Sequence, residues 1–165
     1  MTGWTRAVTC ALAGILIATA SPSTASAQTP KALVGTWKLN PARSKYNPGP
    51  APKTMTVVYA LTGESLKITV DLVPATGAAQ KWETTAGFDG KPHPITGHPT
   101  ADTITLARIN DTTGESTFMK GGKVTAVSRR VLSADGKTLT ISTKGKTEDG
   151  KPRNDVAVFD KQTGA

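Results

Sequence analysis

Apolar and polar residues alternate with a period of two over long parts of this chain, and this pattern limits the possible folds most strongly. One face of the run after residue 53 carries Met55, Val57, Tyr59 and Leu61. After the turn Thr62-Gly63-Glu64-Ser65, one face of the next run carries Leu66, Ile68, Val70 and Leu72. Such alternation is typical of strands with one buried face, so these two runs predict a half-buried hairpin.

Turn sequences separate further short runs of the same kind. Three of them contain Asp-Gly-Lys, at residues 89–91, 135–137 and 149–151, and a second Thr-Gly-Glu-Ser occurs at residues 113–116. Asp-Gly is favoured where a tight hairpin needs positive φ, so we interpret all of these as turns. Residues 92–99 contain three prolines, which suits an edge strand or a crossover better than a central strand.

The strands and turns together predict an all-β protein. No amphipathic helix of useful length follows residue 27, and the strand-like runs number between eight and ten. An antiparallel up-and-down meander of that size exposes two edges unless it closes into a barrel. A barrel of about eight strands holds its own side chains or one small ligand. We therefore expect a closed barrel over residues 28–165, as a single domain.

The first 27 residues have the pattern of a signal peptide. Arg6 precedes an apolar run over residues 7–20, and Ala25-Ser26-Ala27 is a typical cleavage signal. The apolar run is shorter than the roughly 20 residues that a membrane helix needs, so we expect no membrane-spanning segment. Cleavage after Ala27 would leave a periplasmic or secreted bacterial protein. It would also remove Cys10, the only cysteine, which excludes disulfides and thiol catalysis.

The charge distribution favours anionic partners without indicating nucleic acid. The full chain has a formal net charge of +8, and its basic residues are spread along the sequence with no block of five. Spread positive charge improves solubility and attracts anions. Because an exported protein rarely meets nucleic acid, we expect no nucleic-acid partner. The oligomeric state stays open.

Gly35-Thr36-Trp37 opens the first strand, after a short helical turn and before a long loop over residues 41–53. This arrangement resembles the lipocalin-like (calycin) barrels, and more closely the small exported bacterial lipocalin-like proteins, a group without an assigned activity. The resemblance covers about residues 33–160. It implies structural roles for Gly35 and Trp37, with Trp37 across the closed end of the barrel. It also implies an arginine from a late strand, Arg130 or Arg129, over that tryptophan.

Two arginines are candidates for ligand binding. Arg108 shares its strand face with Ile104 and Leu106, and Arg130 shares its face with apolar residues of a later run. An arginine inside a barrel is costly when unpaired, but it offers a fork to a ligand carboxylate or phosphate. Alternatively, a bulge or another register would turn each arginine to water or to an acid. Trp82 and Tyr59, with Phe88, could line a cavity or form ordinary core.

The sequence contains no set of residues that indicates catalysis. His93 and His98 lie in a proline-rich stretch with Asp89 and Asp102 as the nearest acids, which falls short of a metal site. Glu148 and Asp149 are adjacent in a turn, where solvation leaves a carboxyl unsuited to acid catalysis. We therefore expect no enzyme activity, no metal and no cofactor. A small hydrolase or isomerase that uses the barrel interior is the least favoured alternative.

Two functions fit these expectations better than catalysis. The first is an exported lipocalin-like protein that binds a small hydrophobic or amphiphilic ligand with an anionic group, covered at the mouth by residues 41–53. The alternative is a filled barrel that acts as an envelope or secreted protein-interaction module without a small-molecule ligand. A cavity lined by Trp82, Tyr59 and an inward arginine would distinguish the first from the second.

Overall fold

Ten antiparallel strands form a closed barrel in the computed structural model, which describes residues 31–163. The strands are β1 (Gly35–Leu39), β2 (Thr54–Thr62), β3 (Ser65–Val73), β4 (Gln80–Ala86), β5 (His93–Thr96), β6 (Thr103–Arg108), β7 (Thr113–Lys120), β8 (Lys123–Leu132), β9 (Thr138–Lys146) and β10 (Pro152–Lys161). Two 3-10 turns, Lys31–Leu33 and Pro41–Arg43, flank β1. The predicted signal peptide, residues 1–27, lies outside the described residues.

Each strand pairs with its neighbours in the chain, and β1 closes the barrel by pairing with both β2 and β10. Trp37 lies opposite Val57 on one side and opposite Lys161 on the other. The prediction of an all-β, up-and-down barrel is therefore confirmed. Closure gives each of the ten strands a hydrogen-bonded neighbour on both sides, which removes the two edges of an open meander. Within the described residues, no helix is long and apolar enough to cross a membrane.

The period-two pattern places the apolar side chains inside the barrel. Val57, Ile68 and Val70 are almost completely buried, whereas the intervening Lys67 and Asp71 are exposed. Burying an aliphatic side chain of this size contributes about 1.5–3 kcal/mol. The core continues around the barrel with Leu66, Trp82, Ile104, Leu106, Phe118, Leu139 and Phe159.

One end of the barrel is closed by the chain that precedes β1. Leu33 is buried there beside the fully buried Trp37, whose indole Nε1 donates a hydrogen bond to the Leu33 carbonyl oxygen at 2.8 Å. The cation over the Trp37 ring is Lys161, with Nζ 5.2 Å from the ring centroid. The expectation of an arginine at this place is wrong. The register of β1 and β10 sets Lys161 directly opposite Trp37, while Arg129 and Arg130 belong to β8.

Gly35 makes this contact between Lys161 and Trp37 possible. Its φ of +132° lies in a region that residues other than glycine rarely adopt. A Cβ atom at this position would also lie 3.2 Å from Cε of Lys161. Lys161 then continues past the glycine, and its Nζ donates to the Ala32 carbonyl oxygen at 2.8 Å. Gly35 therefore allows one lysine to hold both the first turn and the tryptophan.

The β1–β2 loop lies at the opposite end, and its first half is attached to β10. Lys45 and Val156 exchange two backbone hydrogen bonds of 2.7 Å, and the amide of Asn154 donates to the Asn47 carbonyl oxygen at 2.7 Å. The loop predicted from its prolines is thus present, but residues 44–47 are fixed in place like a short extra strand.

Two local expectations are wrong. Residues 93–96 form β5, a central strand of the barrel between β4 and β6, because a strand this short pairs through only two residues on each side and tolerates a proline. The second Thr-Gly-Glu-Ser does not form a turn and opens β7. The turn falls earlier because the side-chain oxygen of Asn110 accepts hydrogen bonds from the amides of Thr112 and Thr113, at 3.0 and 2.8 Å.

Candidate ligand-binding site

A cavity of about 390 Å³ occupies the barrel interior and extends to the end that carries the β1–β2 loop. This volume lies within the range of small-molecule sites in proteins, about 300–1,000 Å³. Its wall is mainly apolar and includes Met55, Val57, Tyr59, Ile68, Val70, Leu72, Trp82, Phe118 and Ile141. Trp82 and Tyr59, two of the sequence-based candidates, are therefore in the wall.

Arg130 projects into this cavity from β8. It is 6% exposed and lies one inward position away from Leu132, the last residue of β8. Its Nη1 donates to the hydroxyl of Ser116 at 3.2 Å, and its guanidinium carbon lies 5.6 Å from the centroid of the Phe88 ring. Phe88 follows β4 on the side of the closed end, so the guanidinium forms part of the cavity floor.

No carboxylate within residues 31–163 forms an ion pair with Arg130. Burial lowers its pKa from the usual value of 12.5, and the nearby Tyr59 partly opposes this shift. The direction of the pKa shift reports a charge that burial destabilises. Burial likewise raises the pKa of the Tyr59 phenol, so the hydroxyl beside Arg130 remains protonated. The floor of the cavity is therefore cationic, and residues 31–163 supply no counter-ion to it.

A row of buried polar side chains crosses four neighbouring strands beside Arg130. Ser116, Ser128, Thr143 and Asp155 are successive cross-strand partners on β7, β8, β9 and β10, and all four face the cavity. The hydroxyls of Ser128 and Thr143 hydrogen bond to each other at 2.7 Å. One side of the cavity therefore offers hydroxyl groups to a polar ligand group, while the opposite wall is apolar.

The last member of this row, Asp155, holds the β1–β2 loop at the cavity mouth. Its buried carboxylate accepts a hydrogen bond from the Asn47 amide at 2.9 Å and pairs with Nε of Arg153 at 2.5 Å. The neighbouring Tyr46 lines the cavity, and its buried hydroxyl has no hydrogen-bond partner among residues 31–163. Burial and the charge of Asp155 raise the Tyr46 pKa to about 12, with Arg153 opposing the shift.

Three aromatic rings pack together in the cavity wall near the mouth. His98 stacks on Phe118 with ring centroids 5.2 Å apart, and Trp82 meets both rings edge-on. Nδ1 of His98 accepts a hydrogen bond from the Thr100 amide at 3.2 Å, which leaves the proton of the neutral ring on Nε2. Burial, then the charges of Arg153 and Lys120, lowers the pKa of His98 to about 4.

Arg108, the other arginine candidate, lies outside this cavity. It is the last residue of β6, and its guanidinium pairs with Asp111 in the turn at the closed end. Of the two alternatives left open for Arg108, the structure shows the one in which the arginine pairs with an acid, because the strand ends at Arg108 and the side chain meets Asp111 in the following turn. Its strand partner is Gly114, which is also the partner of Arg130.

The two histidines of the proline-rich stretch have different surroundings in the structure. His93 begins β5 and hydrogen bonds through Nε2 to Asp89 at 2.9 Å, whereas His98 lines the cavity. In the part of the chain that the structure describes, no group of three or more His, Asp or Glu side chains is placed to hold a metal ion.

Several cavity residues were not among the sequence-based candidates. The inward position of Ser116 and Ser128 could have been predicted from the sequence, because each lies on the same alternating face as a buried residue of its strand. Tyr46 is the one aromatic residue in a loop of four prolines, which is a weak signal. His98 carries no local signal, since its place in the wall depends on how β5 and β6 pair.

Two comparisons with known proteins found no relative of this chain. No protein-family model matches the chain, and a search of curated proteins finds no significant match. A fold of this type hosts many unrelated functions, so function has to be inferred from the site itself. The observations that matter are the closed barrel, its cavity, and the cation on the cavity floor.

Proposed function

We propose that this chain is a lipocalin-like protein that binds a small amphiphilic molecule inside its barrel, with the anionic group of that molecule on Arg130. A single observation carries the proposal. Arg130 is a buried cation on the floor of an apolar cavity, and no carboxylate of residues 31–163 neutralises it. A bound carboxylate or phosphate would supply the missing charge.

The energetics of burial support this role. An uncompensated charge in a protein interior costs several kcal/mol, so an unpaired buried arginine works against stability. Its contacts with Ser116 and Phe88 offset only part of that cost. A guanidinium also presents its donors as a fork that matches a carboxylate, and such charge-assisted pairs are roughly twice as strong as neutral hydrogen bonds. The anionic group of the ligand would thus form its strongest interaction with Arg130, the residue whose burial as a charge is unfavourable for the protein.

The position of Arg130 sets the orientation of the ligand. Because the guanidinium lies on the floor, the anionic group would enter first and the apolar part would extend toward the mouth. Val70 and Phe118 would contact that apolar part, and the docked β1–β2 loop would border its outer end. This division into a few polar groups and a wide apolar wall is typical of ligand sites.

The alternative functions have less support. A filled interaction module would need packed side chains where this barrel has about 390 Å³ of space. A catalytic role would need an acid–base pair in the cavity. His98, the one histidine in the wall among the described residues, has its Nδ1 bonded to a backbone amide and its ring between Trp82 and Phe118. We therefore favour binding without chemistry.

Calorimetric titration with three ten-carbon probes tests the proposal. Decanoate, decanol and decylamine share the apolar chain and differ in the head group. We expect decanoate to bind most tightly and decylamine to bind least. Arg130→Met should abolish the preference for decanoate because it keeps the length of the side chain and removes the charge.

Arg129→Met is the matched control for this titration. Arg129 is the adjacent residue, carries the same charge, and is exposed on the outer face of β8. It should bind decanoate like the wild type. The proposal fails if decanoate and decanol bind equally, or if the two variants lose decanoate to the same extent, since the second result would reflect only net charge.

We propose further that the protein is exported, on the sequence pattern of residues 1–27. The mature form would then begin at Gln28 and work in the periplasm or outside the cell. N-terminal sequencing of the protein recovered from expressing bacteria tests this point. A mature chain that still begins at Met1 would contradict export, without bearing on the cavity.

A further inference from the structure

We infer that Tyr46 forms a second polar subsite at the cavity mouth, so that the ligand carries a neutral oxygen acceptor on the order of 10 Å from its anionic group. This inference rests on the proposed function and narrows the class of ligand. Unsubstituted alkyl carboxylates would form a polar contact only with Arg130 on the cavity floor. Amphiphiles with a ketone, ester or hydroxyl oxygen farther along the chain would use both subsites.

The first observation is the unused hydrogen-bond donor. The Tyr46 hydroxyl is a buried side-chain polar atom without a partner, and among residues 31–163 no other atom has this status. Leaving such a group unsatisfied usually costs more than a hydrogen bond gains, so native proteins rarely do it without a reason. A ligand atom that accepts the hydrogen bond, once the Tyr46 side chain turns its hydroxyl into the cavity, provides that reason.

The second observation is that the loop holds Tyr46 in place. The backbone of Lys45 on one side of it bonds to Val156 through both of its polar groups, at 2.7 Å each. The Asn47 amide on the other side donates to the carboxylate of Asp155 at 2.9 Å. The backbone on both sides of the tyrosine is therefore fixed to β10, so ligand binding needs to order only the Tyr46 side chain.

The third observation is the local charge, which favours a neutral acceptor. Burial raises the Tyr46 pKa to about 12, so the hydroxyl stays protonated and can donate. The nearest charges, Arg153 and Asp155, are already paired with each other at 2.5 Å. The buried Asp155 carboxylate would repel a second anion at the mouth. The anionic group therefore belongs on the floor, and a carbonyl, ether or hydroxyl oxygen belongs beside Tyr46.

The spacing of the two subsites follows from strand geometry. Arg130 lies two residues deeper along β8 than Ser128, and Ser128 belongs to the polar row that ends at Asp155 beside the loop. Two residues of strand span about 7 Å, and β8 and β10 are separated by two strand spacings, about 10 Å. A ten-carbon chain is long enough to reach from one subsite to the other.

The experiment compares decanoate with a series of oxodecanoates, each with one ketone at a different carbon. Affinities for the wild type and Tyr46→Phe are measured by calorimetry. We expect one isomer, with its ketone in the outer half of the chain, to bind Tyr46→Phe about tenfold more weakly than the wild type, which corresponds to one lost hydrogen bond. Decanoate should bind the two proteins within about twofold.

Tyr59→Phe is the matched control, because Tyr59 is the other tyrosine of the chain and lines the deeper part of the same cavity. It should retain the isomer preference that Tyr46→Phe loses. Uniform binding of all isomers, with decanoate still dependent on Arg130, would overturn the second subsite and leave the proposed function intact. Equal weakening of decanoate and every isomer by Tyr46→Phe would also overturn it. Failure of the wild type to bind any of these probes would overturn both.

Discussion

Arg130 and Gly114 lie directly opposite each other on β8 and β7, and the glycine provides the space that the guanidinium occupies. A Cβ atom on residue 114 would lie 2.5 Å from Nη2 and 2.8 Å from Cζ of Arg130. These distances are too short for a real contact, so any side chain at residue 114 must displace the guanidinium. The glycine therefore belongs to the proposed anion site, although it bears no functional group.

Gly114→Ala should weaken decanoate binding about tenfold, because the guanidinium moves away from its place beside Ser116. The melting temperature should change little, since the displaced group is the end of a flexible side chain. Calorimetry and thermal unfolding measure the two effects. Gly87→Ala is the control, because its added Cβ would meet Asp89 at an ordinary 3.7 Å. An unchanged affinity in Gly114→Ala would show that the anion does not depend on this position of Arg130.

Arg130→Met should make the free protein more stable, by about 1–3 kcal/mol, since it replaces an unpaired buried cation with an apolar side chain of similar length. Urea denaturation of the ligand-free protein measures this free energy of unfolding. Arg129→Met, on the exposed face, should stay within about 0.5 kcal/mol of the wild type. A clear loss of stability in Arg130→Met would mean that the arginine serves the fold and not a ligand.

The barrel could be predicted because residues close together in the sequence determine its strands and turns. Alternation in β2 and β3 sets which side chains face inward, and the turn after Thr62 joins the two strands as expected. The same alternation made Arg130 a candidate for the barrel interior, and the structure shows its side chain there. The alternation could not show that Arg108 and Arg130 have different surroundings. Arg108 follows the same pattern, but it is the last residue of its strand and pairs with Asp111 in the next turn.

Trp37→Ala should destabilise the protein by about 3–5 kcal/mol, in the range of aromatic truncations in cores. The tryptophan is fully buried, donates to Leu33 and lies beneath Lys161, so its loss opens the closed end. Chemical denaturation measures the change. Lys161→Met is a useful comparison, because it keeps Trp37 and removes the cation over the ring together with its hydrogen bond to the Ala32 carbonyl oxygen, and it should cost about 1–2 kcal/mol. A near-wild-type Trp37→Ala protein would contradict this account of the closed end.

The buried His98 should make stability depend on pH below neutrality. Its pKa falls from 6.5 to about 4 in the folded protein, mainly through burial, so the unfolded chain takes up a proton first as the pH decreases. The contribution is complete above about pH 6.5 and is lost as the pH falls toward 4, for a total of about 3 kcal/mol.

His98→Phe should remove most of this slope, because phenylalanine keeps the stacking on Phe118 without a titrating group. Urea denaturation of the wild type and the variant across this pH range measures it. The carboxyl groups of Asp89 and Asp149, whose pKa values are lowered, titrate in both proteins, so the difference between the two curves isolates His98. Parallel curves would contradict the assigned burial of the imidazole.

The cavity mouth could not be predicted from the sequence, because distant pairings create it. Tyr46 occupies its position through the bond of Lys45 to Val156, which lies at the other end of the chain. The second Thr-Gly-Glu-Ser is a similar case. It matches the turn at residues 62–65 letter for letter, yet Asn110 completes the turn three residues earlier and leaves Gly114 in the strand opposite Arg130.

The ionisation state of a bound carboxyl group tests the central claim most directly. Decanoate with an isotopic label at its carboxyl carbon reports this state through its NMR shift while it is bound. Pairing with Arg130 predicts that the pKa of the bound carboxyl falls below its value in water, and that Arg130→Met reverses the direction of the shift. A pKa that rises on binding to the wild type, as burial in an apolar cavity alone would cause, would contradict the account.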